Sequence, residues 1–420
     1  MWLRLVLMQG EMSPSDPPLS HVRVLDLGRI MAAPWCTQIL ADLGADVIKV
    51  ERPEVGDDTR AWGPPFLKDK HGAPTADAGY FLAVNRGKRS LTINLNTPEG
   101  RDIILELAKT ADVVVENYKV GTLDRYGLDY DSLSRANPRL IYASVTGFGQ
   151  TGPRASQAAY DFMIQAMGGL MSVTGERDEK PGGGPQKVGV PIVDLMTGMY
   201  ATVAILAALA RREQTGRGDH VDLAMLDVQA AFLANQAMNF LISDKLPRRN
   251  GNSHPNIQPQ DVYPCRDGYI VLAVGNDGQF VKFCEVIGRV ELATDERFKS
   301  NESRIANLPE LSDLIRQRLA DGDMKDWVNA CEQAGVPCGP INTVKDVFED
   351  PQIIERQMLR QIDHPVAGPI PQVVSPIRYR EAQLSYNRAP PTLGQHTGEV
   401  LAELGLPAES IQRLRDKGVV

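Results

Sequence analysis

The sequence predicts an α/β protein with an open, mostly parallel sheet in its first half and a smaller domain after it. Two observations predict this class. Over roughly the first 150 residues, short runs rich in β-branched residues alternate with helix-length segments, and such alternation produces parallel strands. The chain of 420 residues is long enough for two or three domains, and its composition changes near residue 250.

The N-terminal half divides into strand and helix units. We interpret residues 1–21 as an unstructured leader, because the apolar start MWLRLVLM is short and lacks a cleavage site. VRVLDL, a helix from Pro34 to Leu43 and DVIKVE form the first βαβ unit. Thr97 as N-cap and Pro98 at the first helical position begin the next helix, which the strands DVVVEN and PRLIYASVTGFG follow. This order places a ligand crevice at the carboxyl ends of the strands.

Residues 195–213 are apolar almost all round, and a helix tolerates this only when it is buried on every side. HVDLAML then predicts a strand and VQAAFLANQAMNFLI a second apolar helix. A loop rich in Asn, Pro and Gln begins near Arg248, and the Pro-rich tail indicates extended segments lying over a formed domain. The predicted divisions are a large domain at 22–225, a linker helix at 226–250, a small domain at 251–330 and a return segment at 331–420.

Composition and charge exclude several classes of function. The 43% hydrophobic and 23% charged content is typical of a soluble globular protein. The net charge of −8 argues against nucleic-acid binding, since a polyanion requires the opposite sign. No CxxC, HExxH or His-x-His spacing occurs, so we expect free cysteines, no metal and a cytoplasmic location. No segment of the sequence comes close to 18 consecutive uncharged apolar residues, the length of a membrane-spanning helix, so we expect no membrane insertion.

Basic residues cluster where a phosphorylated ligand could bind. NRGKRS contains Lys88 and Arg89, while Arg52 and Arg125 follow other strands of the same predicted sheet edge. Arginine forks suit phosphate oxygens. The alternative is a solvated basic loop. Gly147, with the glycines at 149 and 152, fits G-x-G-x-x-G after a strand, so a dinucleotide site is possible, although a plain turn explains the glycines as well.

Asp194 stands at the start of the long apolar helix. Ordinary N-capping explains an aspartate there. Alternatively, the helix N-terminus keeps this carboxylate ionised. A cleft that excludes water would then remove its hydration and make it a better nucleophile. Gly198 on the same turn would allow a ligand or a partner backbone to come close.

The chain resembles the class III CoA-transferases from about Val22 to its end. Long runs carry the resemblance: VLDLGRIMAAPWCTQILADLGADVIKVERP, GDDTRAWGPPF, NRGKRSLTINL, VVENYKVGTLDRYGL, IYASVTGFGQTGPRA, PIVDLMTGMYATVAILAAL and APPTLGQHT. Within the family, GDDTRAWGPPF and PPTLGQHT look most like the succinyl-CoA transferases for glutarate or hydroxymethylglutarate.

The resemblance implies an interlocked homodimer whose chains have a Rossmann-like large domain and a small α+β domain. It implies a CoA thioester as co-substrate, with no permanently bound cofactor, and an aspartate nucleophile that falls on Asp194. It also implies that CoA binds to Arg52, Asn117, Tyr118 and Arg125. We add Lys88 and Arg89 of the basic cluster to these candidate CoA-binding residues.

Departures from the family pattern narrow the chemistry. Met31 replaces the glutamine of formyl-CoA transferases, so formate and oxalate chemistry is disfavoured. The related α-methylacyl-CoA racemases carry His-Asp where this chain has Tyr160 and Asp161, and a tyrosine, which titrates near pH 10, is a poor proton relay. Arg29, at the end of the first strand, is a candidate cation for the far carboxylate of a dicarboxylate, or else an ordinary ion pair. A racemase and a non-catalytic CoA-binding protein stay open as alternatives.

Overall fold

The computed structural model describes residues 13–420, which divide into two compact units. The first unit comprises residues 13–169, 188–234 and 354–420. Its main sheet contains β1 (Arg23–Asp26), β2 (Asp46–Glu51), β5 (Lys88–Thr92), β6 (Val113–Glu116), β7 (Ile141–Thr146) and β8 (His220–Ala224). The strand order is β5-β2-β1-β6-β7-β8 with every neighbouring pair parallel, which confirms the predicted α/β class.

Two antiparallel hairpins and nine helices complete the part of this unit that the structure describes. The hairpins are β3 (Phe66–Lys68) with β4 (Pro74–Ala78), and β12 (Leu359–His364) with β13 (Gly368–Val373). The helices are α1 (Ala32–Asp42), α2 (Gly79–Leu82), α3 (Pro98–Ala108), α4 (Tyr130–Ala136), α5 (Asp161–Met167), α7 (Ile192–Thr215), α8 (Met225–Phe232), α16 (Thr397–Glu403) and α17 (Ala408–Asp416).

Apolar side chains cover both faces of the parallel sheet, as a sheet buried on both sides requires. Val24 points into a core shared with α1 and α7, whereas its neighbour Leu25 points into a core shared with α3, α16 and α17. Helix α1 packs so closely on α7 that a Cβ atom on Gly198 would lie 2.6 Å from the carbonyl oxygen of Ala32. This contact accounts for the glycine in the first turns of α7.

The structure confirms the predicted start of α3. Thr97 is the N-cap, its side chain accepts a hydrogen bond from the Gly100 amide, and Pro98 occupies the first helical position. The predicted second apolar helix is instead two, α8 and α9 (Ala234–Ser243), because the backbone turns at Ala234, where φ is +44°.

The prediction that α7 is buried on every side is wrong for the single chain. Ala201, Ile205 and Leu209 lie in the core, but Met199, Tyr200 and Val203 are exposed. By length and composition alone this helix could cross a membrane; its inner face packs on α1 and the sheet.

Residues 13–21 and the C-terminal segment are more ordered than expected. Residues 1–12 of the predicted leader lie outside the described residues. Residues 13–21 form turns rather than an unstructured segment, with Leu19 buried and its amide donating to Leu43. The Pro-rich tail also contributes to the core, through Val400 and Ile411.

The second unit comprises residues 170–187 and 235–353. It contains an antiparallel sheet of β9 (Gln260–Pro264), β10 (Tyr269–Ala273) and β11 (Cys338–Pro340), in the order β11-β10-β9. Its helices are α6 (Leu170–Val173), α9, α10 (Asp277–Val286), α11 (Asn301–Ala306), α12 (Leu308–Leu319), α13 (Met324–Ala334), α14 (Val344–Glu349) and α15 (Pro351–Glu355), the last of which runs into the first unit. The unit therefore begins earlier than the predicted 251–330. It also ends later, because β11 pairs with β10.

Candidate functional site

A cavity of about 210 Å³ lies in the first unit at the carboxyl ends of the parallel strands. The strand order reverses between β1 and β6, and in open α/β sheets ligands bind at such a reversal. The loops after β1, β6 and β7 line the cavity. Six predicted site residues meet there: Arg29, Met31, Asn117, Tyr118, Tyr160 and Asp194.

The loop after β1 is held in a strained conformation. Ile30 has φ of +70°, which is costly for a β-branched residue and is found where the surroundings enforce it. Its amide donates to Asp57 at 3.2 Å. Burial alone would raise the pKa of Asp57, but Lys49, 2.8 Å away, together with hydrogen bonds, lowers the pKa to about 2. A permanently charged carboxylate therefore anchors the loop.

Asn117 clamps this same loop. Its side-chain oxygen accepts from the Arg29 amide at 2.8 Å, and its Nδ2 donates to the Arg29 carbonyl at 2.7 Å. These reciprocal bonds use one donor and one acceptor of the amide. Asn117 therefore fixes the loop that carries Arg29 and also lines the cavity, and its contact with CoA stays a prediction.

Asp194 does not cap its own helix. Pro191 is the N-cap of α7, and the Asp194 carboxylate accepts no hydrogen bond from any residue of the described chain. Asp161 performs the capping instead: its Oδ2 accepts from the Val193 amide at 2.7 Å and from the Asp194 amide at 3.2 Å. The side chain of Asp194 is left free for chemistry in the cavity.

The expectation that the helix N-terminus keeps Asp194 ionised at neutral pH needs correction. Burial, followed by the nearby Asp161 carboxylate, raises the pKa of Asp194 to about 7. Desolvation of a charged carboxylate here outweighs the favourable helix dipole. A carboxylate that is poorly solvated and without hydrogen bonds is more nucleophilic than one in water.

Arg29 supplies a cation to the cavity. Its Nη1 lies 3.2 Å from Asp58, and its guanidinium lies 5.3 Å from the centroid of the Tyr118 ring. Its Nε is buried and has no hydrogen-bond partner among the described residues. The side chain as a whole is about one third exposed, so its outer nitrogens are accessible to an anionic ligand.

Two further predicted cations remain near or at the surface. Arg52 follows β2, is about half exposed and forms an ion pair with Asp58 at 2.9 Å. Arg125 is exposed in a short 3₁₀ turn after β6. Asp58 therefore contacts both Arg29, which lines the cavity, and Arg52.

The basic cluster NRGKRS is not available to a ligand. The ammonium of Lys88 is fully buried and bonds to Asp26 at 3.0 Å and to Asn85 at 2.9 Å. Arg89 is 3% exposed and pairs with Asp46 and Glu403. The structure therefore removes Lys88 and Arg89 from the candidate CoA-binding residues, since their charges are neutralised inside the protein.

Replacing Lys88 by methionine is expected to destabilise the fold by roughly 3 kcal/mol, because it leaves the buried Asp26 carboxylate without its cation. Urea unfolding measures this change. Lys109→Met is the control, since Lys109 forms an exposed ion pair on α3. A raised KM for CoA with unchanged stability would instead restore Lys88 as a ligand-binding residue.

Two residues of the site were not predicted from the sequence. Asp161 entered only as part of a Tyr-Asp pair, and nothing in the sequence indicated that it caps a helix 32 residues later. Tyr80, on α2, carried no signal at all. Burial, and then the Asp194 and Asp161 carboxylates, raises the pKa of Tyr80, and its ring packs edge-on against Trp62. Short-range patterns cannot reveal either relationship.

The arrangement combines a poorly solvated carboxylate, a cation in the same cavity and a helix start. Helix α1 begins at Ala32 in the cavity wall, and Met31 gives it no side-chain cap within the described chain. Its first amides can hold a developing oxyanion. Among residues 13–420 no group of His, Cys, Asp and Glu is arranged to hold a metal. The site is suited to acyl transfer through a carboxylate.

Comparison with known proteins points to the same chemistry. The family described as CoA-transferase family III matches residues 19–397. A succinate–glutarate CoA-transferase of Agrobacterium fabrum is 49% identical over 96% of this chain and 98% of its own, and a human succinyl-CoA:glutarate CoA-transferase is 41% identical over 96% and 90%. A crystal structure of a CAIB/BAIF family protein from Brucella suis has a TM-score of 0.82 and 49% identity, over 93% and 100% of the two chains.

Proposed function

This chain belongs to CoA-transferase family III, and from that premise we propose that it moves CoA from succinyl-CoA to a dicarboxylate such as glutarate or hydroxymethylglutarate. The observation that carries this proposal is one cavity lined by both Arg29 and Asp194, whose carboxylate accepts no hydrogen bond among the described residues. The names of the relatives from Agrobacterium and human support succinyl-CoA or succinate and glutarate as substrates.

In the proposed mechanism, Asp194 attacks the thioester carbonyl of succinyl-CoA to give an acyl-aspartyl anhydride and CoA thiolate. The thiolate then attacks the aspartyl carbonyl, which gives an aspartyl-CoA thioester and releases succinate. The acceptor carboxylate attacks this thioester, and the thiolate finally takes the new acyl group and frees Asp194. The overall reaction replaces one CoA thioester by another of comparable energy, so the cycle consumes no ATP.

Each binding contact has a proposed residue. Arg52 and Arg125, which lie exposed in the segments after β2 and β6, bind the phosphates of CoA, and Tyr118 provides an apolar surface along its path. Arg29 pairs with the far carboxylate of the dicarboxylate. Amides at the start of α1 stabilise the oxyanion. CoA is a co-substrate, and the protein holds no permanent cofactor.

Incubation of the purified protein with succinyl-CoA and glutarate, hydroxymethylglutarate, mesaconate or oxalate tests the proposal. Mass spectrometry should detect a new CoA ester together with succinate. If none of these acids accepts CoA, the proposed substrate class is wrong. A racemase would instead exchange the α-hydrogen of a 2-methylacyl-CoA in deuterium oxide without an acceptor, and a CoA-binding protein would leave every thioester intact.

We further propose that the enzyme is a cytoplasmic homodimer. The exposed face of α7, defined by Met199, Tyr200 and Val203, supports the dimer, because large apolar patches on soluble proteins mark interfaces. A second copy of the chain is the proposed occupant, and the resemblance to interlocked dimers agrees with it.

Val203→Glu is expected to shift the protein from twice the chain mass to the monomer mass, because it places a charge in an apolar interface. Light scattering coupled to gel filtration measures this. Gln214→Glu, an exposed polar position on the same helix, should keep the larger mass. A wild-type protein that elutes as a monomer would refute the dimer.

A further inference from the structure

The start of α7 depends on two side chains of α5. Asp161 Oδ2 accepts from the Val193 and Asp194 amides, and its Oδ1 accepts from Gln165 Nε2 at 2.5 Å. Gln165 is fully buried, and its Oε1 accepts from the Val188 amide at 2.9 Å. Residues of α5 therefore hold both the segment that enters α7 and its first turn.

This arrangement affects Asp194 in two ways. Asp161 occupies the amides at the helix start, so that the Asp194 side chain is not drawn back into capping its own helix. Asp161 also places a second negative charge next to Asp194, and a like charge disfavours ionisation of its neighbour. A carboxylate that binds its proton more tightly is the stronger nucleophile.

We propose that Asp161 is a positioning residue for CoA transfer: it orients Asp194 toward the cavity and, by its charge, keeps that carboxylate reactive. The inference rests on the proposed nucleophilic role of Asp194. The effect of Asp161 on the pKa of Asp194 has the matching sign, although burial is the larger cause. Asp161 and Tyr80 interact electrostatically with Asp194. The other titratable or charged residues that line the same cavity are Arg29, Lys119 and Tyr160.

Asp161→Asn removes the charge while the amide oxygen can still accept from the Val193 and Asp194 N–H groups. The variant also loses the acceptor for Gln165 Nε2, because the asparagine nitrogen only donates. We expect kcat to fall about tenfold and the acid limb of the pH–kcat profile to move down by about one pH unit. KM for succinyl-CoA should change by less than about twofold. A purely structural role would not move the acid limb.

Two variants complete the test. Asp161→Glu restores the charge and should return the acid limb toward that of the wild type, even if its longer side chain lowers kcat. Asp227→Asn removes an exposed acid from the first turn of α8 and should leave the profile unchanged. If the Asp161→Asn variant folds, by circular dichroism, and keeps the wild-type profile, the role of Asp161 is refuted. A wild-type protein that forms no CoA ester would instead refute the proposed function.

Discussion

Replacing Asp194 by asparagine is expected to lower CoA transfer by about a thousandfold or more, because the amide cannot form the anhydride or the thioester. Steady-state formation of glutaryl-CoA from succinyl-CoA measures this loss. Intact-mass spectra should detect a CoA adduct on the wild-type protein during turnover and none on the variant. In the wild type, activity should rise as pH increases through about 7, where the pKa of Asp194 lies.

The same substitution should stabilise the fold at high pH. Burial, and then Asp161, raises the pKa of Asp194 from 3.8 to about 7. Between these values the native state holds a proton that the unfolded state has released, so stability falls as pH rises, and the full cost is present above pH 7. The neutral amide of the variant carries no such cost, and the gain should be on the order of a few kcal/mol at pH 8.

Thermal unfolding at several pH values checks this sign. The Tm difference between Asp194→Asn and the wild type should be largest at pH 8 and should shrink as the pH falls toward 4. Asp227→Asn, which changes an exposed acid, should give no such trend. A variant that retains full activity, or that loses stability equally at both pH values, contradicts the assignment of Asp194 as a buried nucleophile.

Arg29→Ala is expected to raise the KM for glutarate by about a hundredfold, because it removes a charge-assisted contact worth roughly 1.5–3 kcal/mol. KM for succinyl-CoA should rise much less, since the CoA portion contributes most of its binding. Initial rates at varied concentrations of each substrate separate the two effects.

Two comparisons sharpen this test. A monocarboxylate such as butyrate has no far carboxylate, so its weak use as an acceptor should be unaffected by Arg29→Ala. Arg52→Ala should show the reverse pattern, with a raised KM for CoA esters and little change for glutarate. Equal effects of Arg29→Ala on donor and acceptor would reduce Arg29 to a structural ion pair with Asp58.

Much of the site could be predicted because its features are local in the chain. In a parallel sheet the carboxyl ends of the strands meet at one edge, so Arg29 could be placed at the crevice from the sequence. The resemblance to the family added Asn117 and Asp194. The role of each side chain was harder to predict. Asn117 fixes the loop after β1 by bonding to the Arg29 backbone, and Asp161, to which the sequence assigned no role of its own, caps α7.

The amino-acid sequence by itself determined the parallel α/β sheet, the capped start of α3 and the position of Asp194 at a helix N-terminus, since these depend on residues a few positions apart. Only the tertiary structure decided which charged side chains are accessible to a ligand. Lys88 meets Asp26 from 62 positions away and Arg89 meets Glu403 from 314 positions away. Burial and ion pairing depend on such distant partners, and they separate a cation that holds the fold from one that can hold a substrate.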